Sequence, residues 1–376
     1  MTGSIEHVCS WLTGSRTWAG PVSRALVLGL LYYTVASIAL GAFVSRWRMG
    51  DSYVTSMFSK TLAFENPRPQ VYRVLTPLVI RAVSAAVPSA VGDVLSGRSD
   101  VIRARYGIER GDDLEYAVAY YLLFACLVGS MLAWRSSIAT IIGGPGWVRD
   151  LTPVLAMLLY PMSFMRGGYI YDAPALFLSS ACLLAFLRRQ WWWFYVLFAL
   201  AVLNKESEIV LPVWFLATYL DDRDRRSLAK RGLFSAAIGL AVIIVVRTAF
   251  AGHTGPPYEV NLRQNLEFLA DPGSYALVFD LHAAALPVPL GLNLINLAIL
   301  SSVLLSTFGR LPAVATRAFV LTAAAMVPLW LLFGYQDELR VFTAAFAPWT
   351  VILGGWLRLG DRRDAPGGLP VEPPRA

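Results

Sequence analysis

The chain reads as an all-α polytopic membrane protein of about ten transmembrane helices, on three grounds. Residues of the set AVILMFWYC make up 56% of the 376 positions and DEKR only 15%; mean hydropathy is +0.55, far from the balance of a soluble domain. The apolar residues fall in repeated blocks of membrane-crossing length joined by short polar connections. Lys and Arg alternate sides from one connection to the next, as the positive-inside rule requires.

The blocks run over 25–45, 114–134, 150–164, 169–187, 191–203, 207–220, 232–250, 287–307, 315–333 and 342–358. Several are shorter than the ~20 residues of a full span, which predicts tilted or broken helices around a cavity. The first is too long for a signal-peptide core and lacks a cleavage site before Arg46 and Arg48, so it is a retained helix. Residues 1–24 form a cytoplasmic segment, 25–358 one transmembrane domain, and 359–376, rich in Pro, Gly and charge, a disordered cytoplasmic tail. Arg16, Arg24, Arg135, Arg149, Arg188, Arg189, the run from Arg223 to Arg231, Arg310, Arg317, Arg358, Arg362 and Arg363 all fall on one side. That side is the cytoplasm, with both termini on it.

The opposite face receives a long first loop (46–113), Met165 to Tyr171, Lys205-Glu206-Ser207-Glu208, a second loop (251–286) and Gly334 to Arg340. Within the first loop, Val71 to Val91 is apolar, yet a span there would invert every later connection. Arg73, Pro77, Arg81 and Ser84 recur at helical offsets, opposite Val74, Leu75, Leu78 and Val79. An amphipathic helix lying in the interface accounts for this pattern, the alternative being a spanning helix with two arginines turned inward.

The net charge of +7 does not point to nucleic acid, because the basic residues are scattered over block ends rather than gathered in one patch. Cys9, Cys126 and Cys182 have no paired spacing, and with His7, His253 and His282 they make no metal motif. Walker, dinucleotide, HExxH and GxSxG motifs are absent from the sequence, so soluble-nucleotide chemistry has no support in it.

Candidate site residues lie on the outer face. Asp51, just after the first helix, is placed to act as a general base, or to be a solvated interfacial carboxylate. Asp172 precedes Pro174 and either caps that helix turn or serves the site. Arg166 is a cation suited to phosphate. Lys205 and Glu206 interrupt a hydrophobic hairpin at a depth where charge is costly unless paired or beside water. Glu338 and Arg340 connect the last two helices, and the planar fork of Arg340 suits a phosphate oxygen pair. Trp191, Trp192 and Trp193 are read as interfacial anchors, and His253, His282, Tyr258, Asn265 and Asp280 as solvated loop residues.

This layout resembles the GT-C superfamily of integral membrane glycosyltransferases. The first helix is followed by a long outer loop with an acidic residue near its start, here Asp51, and an interfacial helix, here Val71 to Val91. Gln70-Val71-Tyr72-Arg73-Val74-Leu75-Thr76-Pro77, Tyr171-Asp172, Asn204-Lys205-Glu206 and Glu338-Leu339-Arg340 are similar to segments of bacterial members. The resemblance implies a bacterial inner-membrane enzyme with its site on the outer face. It would move a sugar, with inversion, from a polyprenyl-phosphate donor to a glycan, lipid or protein acceptor. Asp51 is then the base, and Arg73, Arg166, Asp172, Lys205, Glu206, Glu338 and Arg340 bind substrate. Its partners are membrane lipids and the lipid-linked donor, with no nucleic acid. Asp51 stands without the Asp-x-Asp or Glu-x-Asp pair of other members, which leaves metal dependence and acceptor class open; no cofactor is expected, and a divalent cation is an unsupported alternative. The competing readings are a transporter or flippase of a lipid-linked or anionic substrate, and a non-catalytic GT-C-like subunit.

Overall fold

The computed structural model describes residues 21–47, 49, 58–106, 113–164, 167–219, 225–276, 279–280, 288–289, 291–336 and 338–363. Fourteen α-helices follow one another there: α1 (Pro21–Trp47), α2 (Phe58–Ala63), α3 (Leu75–Ala86), α4 (Ser89–Tyr106), α5 (Asp113–Ile141), α6 (Gly146–Leu159), α7 (Asp172–Leu187), α8 (Trp191–Asn204), α9 (Val213–Tyr219), α10 (Arg225–Ala249), α11 (Leu262–Ala270), α12 (Leu294–Thr307), α13 (Ala313–Phe333) and α14 (Thr343–Arg363). A pair of two-residue antiparallel strands, Phe279–Asp280 and Val288–Pro289, is the only sheet among the described residues.

Four helices are long and apolar enough to cross a membrane: α1, α5, α10 and α13. Each of the ten apolar blocks holds a helix, but the others are shorter or less apolar. Helices α8 and α9, with 14 and 7 residues, measure about 21 and 10 Å, less than the ~30 Å hydrocarbon core. The chain between them turns through a short 3-10 segment, Glu206–Val210. This bend carries the four polar residues of the hairpin.

Close helix approach comes from glycine. The Cβ of a residue at 129 would meet the Phe177 ring at 2.7 Å, where α5 packs on α7, and one at 239 would meet Phe198 at 3.0 Å, where α10 packs on α8. Trp134, Trp214, Phe194, Phe198 and Phe215 are fully buried between these helices. The Trp214 indole N–H donates to Thr322 Oγ1 at 2.8 Å, tying α9 to α13. Outward faces are apolar instead: Leu233 is 74% exposed and Val245 67%. Such continuous apolar exposure suits lipid rather than water.

Three expectations change. The first outer loop is itself largely helical, since α2, α3 and α4 fall in it. Arg73 precedes α3 in a non-helical conformation (φ −92°, ψ 77°), so it does not share a helix face with Arg81. The last helix runs on to Arg363, past the expected tail boundary at 358. Helix α3 itself has 12 residues, about 18 Å, with Leu78 and Val83 exposed and Thr76, Pro77 and Ile80 buried.

Candidate functional site

Asp172 opens α7, and its carboxylate is 1% exposed. It does not cap the turn ahead of it; its Oδ2 turns back to accept the Tyr169 N–H at 2.9 Å. Its Oδ1 lies 3.6 Å from Lys205 Nζ and 3.5 Å from Arg340 Nη1. Lys205 in turn donates to the Arg340 carbonyl at 3.0 Å, and Arg340 pairs with Glu338. Segments 172, 205 and 338–340, far apart in sequence, thereby close into one buried network. A buried charge is tolerated only when paired in this way.

Above the network stands an aromatic wall. Tyr169 and Tyr171 stack with centroids 5.1 Å apart. Arg340 lies over the Tyr169 ring at 4.3 Å and Arg73 over the Tyr171 ring at 4.5 Å, distances at which cation–π attraction operates. Arg73 has no carboxylate partner among the described residues. It is held in place by its backbone neighbourhood, where the Val74 N–H donates to the Leu203 carbonyl at the end of α8. Asn204 links the same elements, accepting from Thr76 Oγ1 at 2.6 Å and donating to the Tyr171 carbonyl at 2.9 Å.

The opposite wall is closed by Arg247 of α10, which makes two 2.9 Å hydrogen bonds to the Glu206 carboxylate and lies 5.4 Å from the Tyr72 ring. The roof, Gly334 to Arg340, is anchored by Asn265 of α11. This fully buried side chain donates to the carbonyls of Trp330, Leu331 and Gly334 and accepts the Gln336 N–H. Asn265 is therefore a buried clamp rather than a solvated loop residue. Tyr258 is likewise no bystander, because it lines the cavity.

These walls enclose a cavity of about 830 Å³. Arg73, Lys205, Glu206, Glu338 and Arg340 all line it, together with Trp47, Tyr72, Tyr169 and Arg247, while Ile243, Leu329 and Phe333 supply an apolar side. Three lining residues present buried polar atoms without a hydrogen-bond partner among the described residues: Arg340 Nε, Ser207 Oγ and Gln70 Oε1. Unsatisfied groups of this kind are costly unless something else meets them. Burial lowers the ammonium pKa of Lys205, and Asp172 only partly restores it. Burial also opposes the Arg340 charge, but Glu338, Tyr171 and Asp172 outweigh it and hold that pKa well above the usual value. Glu208 is 1% exposed, and its Oε2 has no hydrogen-bond partner among the described residues.

Six of the eight proposed site residues are thus brought together: Arg73, Asp172, Lys205, Glu206, Glu338 and Arg340. The other two, Asp51 and Arg166, lie outside the described residues, as do Cys9 and His282. Sequence reasoning missed Arg247, because a cation in the last turn of an apolar helix reads as an ordinary helix end. It also missed the tyrosine wall, whose only signal is the spacing of Tyr169 and Tyr171. No group of three or more metal-ligating side chains occurs among the described residues. His253 places Nε2 2.9 Å from the Phe64 carbonyl, and Cys126 and Cys182 are buried and free. No protein family, curated protein or solved structure matches the chain.

Proposed function

We propose that the chain is a GT-C-type glycosyltransferase that uses a polyprenyl-phosphate sugar at this cavity. The observation that carries the reading is the cavity wall itself. Four cations (Arg73, Lys205, Arg247 and Arg340) and three unpaired polar atoms face one space that also has an apolar side. A ligand with an anionic, hydroxyl-rich head and a hydrocarbon tail fits both halves. In this reading the ten apolar blocks cross the bilayer, α3 lies in the outer interface, and the cavity opens to the outer face of a bacterial inner membrane.

The acceptor hydroxyl oxygen attacks the anomeric carbon, the bond from that carbon to the phosphate oxygen breaks, and polyprenyl phosphate leaves with the bonding pair. Asp51 takes the hydroxyl proton, and the configuration inverts. Arg73, Arg340 and Lys205 meet the charge that grows on the phosphate, in surroundings where such contacts are stronger than in water. Arg166 supplies a further cation. Glu206, Glu338 and Asp172 hold the cations in place and orient the sugar. Arg247 joins this set through Glu206.

The test is transfer from a defined polyprenyl-phosphate sugar by the purified chain, followed as new glycosylated product. Asp51→Asn is expected to lower the rate at least ~10²-fold while leaving donor binding intact. Full transfer by Asp51→Asn removes the base assignment, and accumulation of donor in sealed vesicles without product moves the chain to the transporter reading.

A further inference from the structure

At the end of α1 opposite the cavity, three arginines close on one carboxylate. Asp150 of α6 is 5% exposed. It receives Arg24 Nη2 at 2.6 Å on Oδ2, and Arg135 Nε at 2.8 Å and Arg149 Nε at 3.3 Å on Oδ1. One negative charge faces three positive ones, so the cluster keeps an excess of two. Each guanidinium makes one hydrogen bond to Asp150 and stays 32–48% exposed at its side chain. Like charges gathered from α1, α5 and α6 repel, and an anion that joins them relieves this repulsion.

Two features say which anion. Arg24 and Trp47, which lines the cavity, are separated by 23 residues of one continuous helix, about 35 Å. The cluster and the cavity therefore stand a bilayer thickness apart, which places the arginines at headgroup level. One turn toward the bilayer from Arg24 is Val27, 40% exposed, and one turn inward from Arg135 is Leu132, 51% exposed. Residues three apart share a helix face, so each of these guanidiniums stands over bare apolar surface.

We infer that Arg24, Arg135 and Arg149 form a seat for the phosphate of an anionic phospholipid, whose acyl chain descends along Val27 and Leu132. Basic pockets between transmembrane helices recognise such headgroups by charge. This inference does not rest on the transferase reading.

The test is native mass spectrometry of the full chain released from micelles doped with phosphatidylglycerol or phosphatidylcholine. Wild-type protein is expected to retain phosphatidylglycerol at least tenfold more than phosphatidylcholine. The double variant Arg24→Gln/Arg149→Gln keeps Arg135 on Asp150, so the buried carboxylate stays paired. It should lose about tenfold in that preference, which is about 1.4 kcal/mol. Equal retention of the two lipids by wild type overturns the proposal whether or not the variant folds, and so does a folded variant with unchanged preference. Inorganic phosphate provides the second arm. If it raises the melting temperature of wild type at millimolar concentration while phosphatidylglycerol shows no preference, the seat is for a soluble anion and the lipid assignment fails.

Discussion

Asp172 is held between two cations, Lys205 and Arg340, at 3.6 and 3.5 Å, and that arrangement makes Arg340 the most sensitive residue of the cavity. Arg340→Gln removes the charge, the partner of Glu338 and the group over Tyr169. Transfer is expected to fall at least ~10²-fold in the lipid-sugar assay. Arg340→Lys should not restore it, since only a planar guanidinium lies over Tyr169 while reaching Asp172 and Glu338. The charged members of the site were legible in the sequence because Lys205, Glu206, Asp172, Glu338 and Arg340 stand out in an apolar chain. Arg247 and Asn265 were not, because their meaning lies in partners 41 and 65–71 positions away.

At the scale of elements, the roof of the cavity depends on α11. Asn265 meets three carbonyls at the end of α13 and one N–H of the following turn, so it fastens the segment that carries Glu338 and Arg340. Asn265→Ala strands those groups and should cost about 2–3 kcal/mol. The measurement is a lowered melting temperature together with faster amide exchange over 334–342. A drop in melting temperature without that local exchange would show that the clamp acts elsewhere. Helix positions were legible wherever an apolar block was long, as in α1, α5, α10 and α13. Helix α4 escaped notice because Asp93, Arg98, Asp100, Arg103 and Arg105 dilute its apolar residues. The bend after α8 was legible as an interruption. Its 3-10 form and the brevity of α9 were not, because they arise from packing against α10 and α13.

For the whole molecule, the alternation of basic connections in the sequence predicts a side for each loop, and this is open to direct measurement. Cys126 and Cys182 are buried, so replacing Cys9 leaves a quiet background for thiol labelling. A cysteine at Tyr258 is expected to react with an impermeant maleimide in intact cells, and one at Arg226 only after permeabilisation. Reaction of both from the same side would break the ten-span topology and, with it, the placement of the cavity on the outer face. The charged knot around Asp150 and the cavity lie at opposite ends of α1, which is what such a topology requires.

Helix α10 is the least sheltered of the four long apolar helices, with 17% of its apolar window buried against the protein. It nevertheless contributes Ile243 and Arg247 to the cavity. One wall of the chamber is thus a post with little protein packed around it, steadied by its bond to Glu206. Its lean answers to the thickness of the surrounding bilayer, so the lipids in which the protein sits become part of what sets the bore of the chamber.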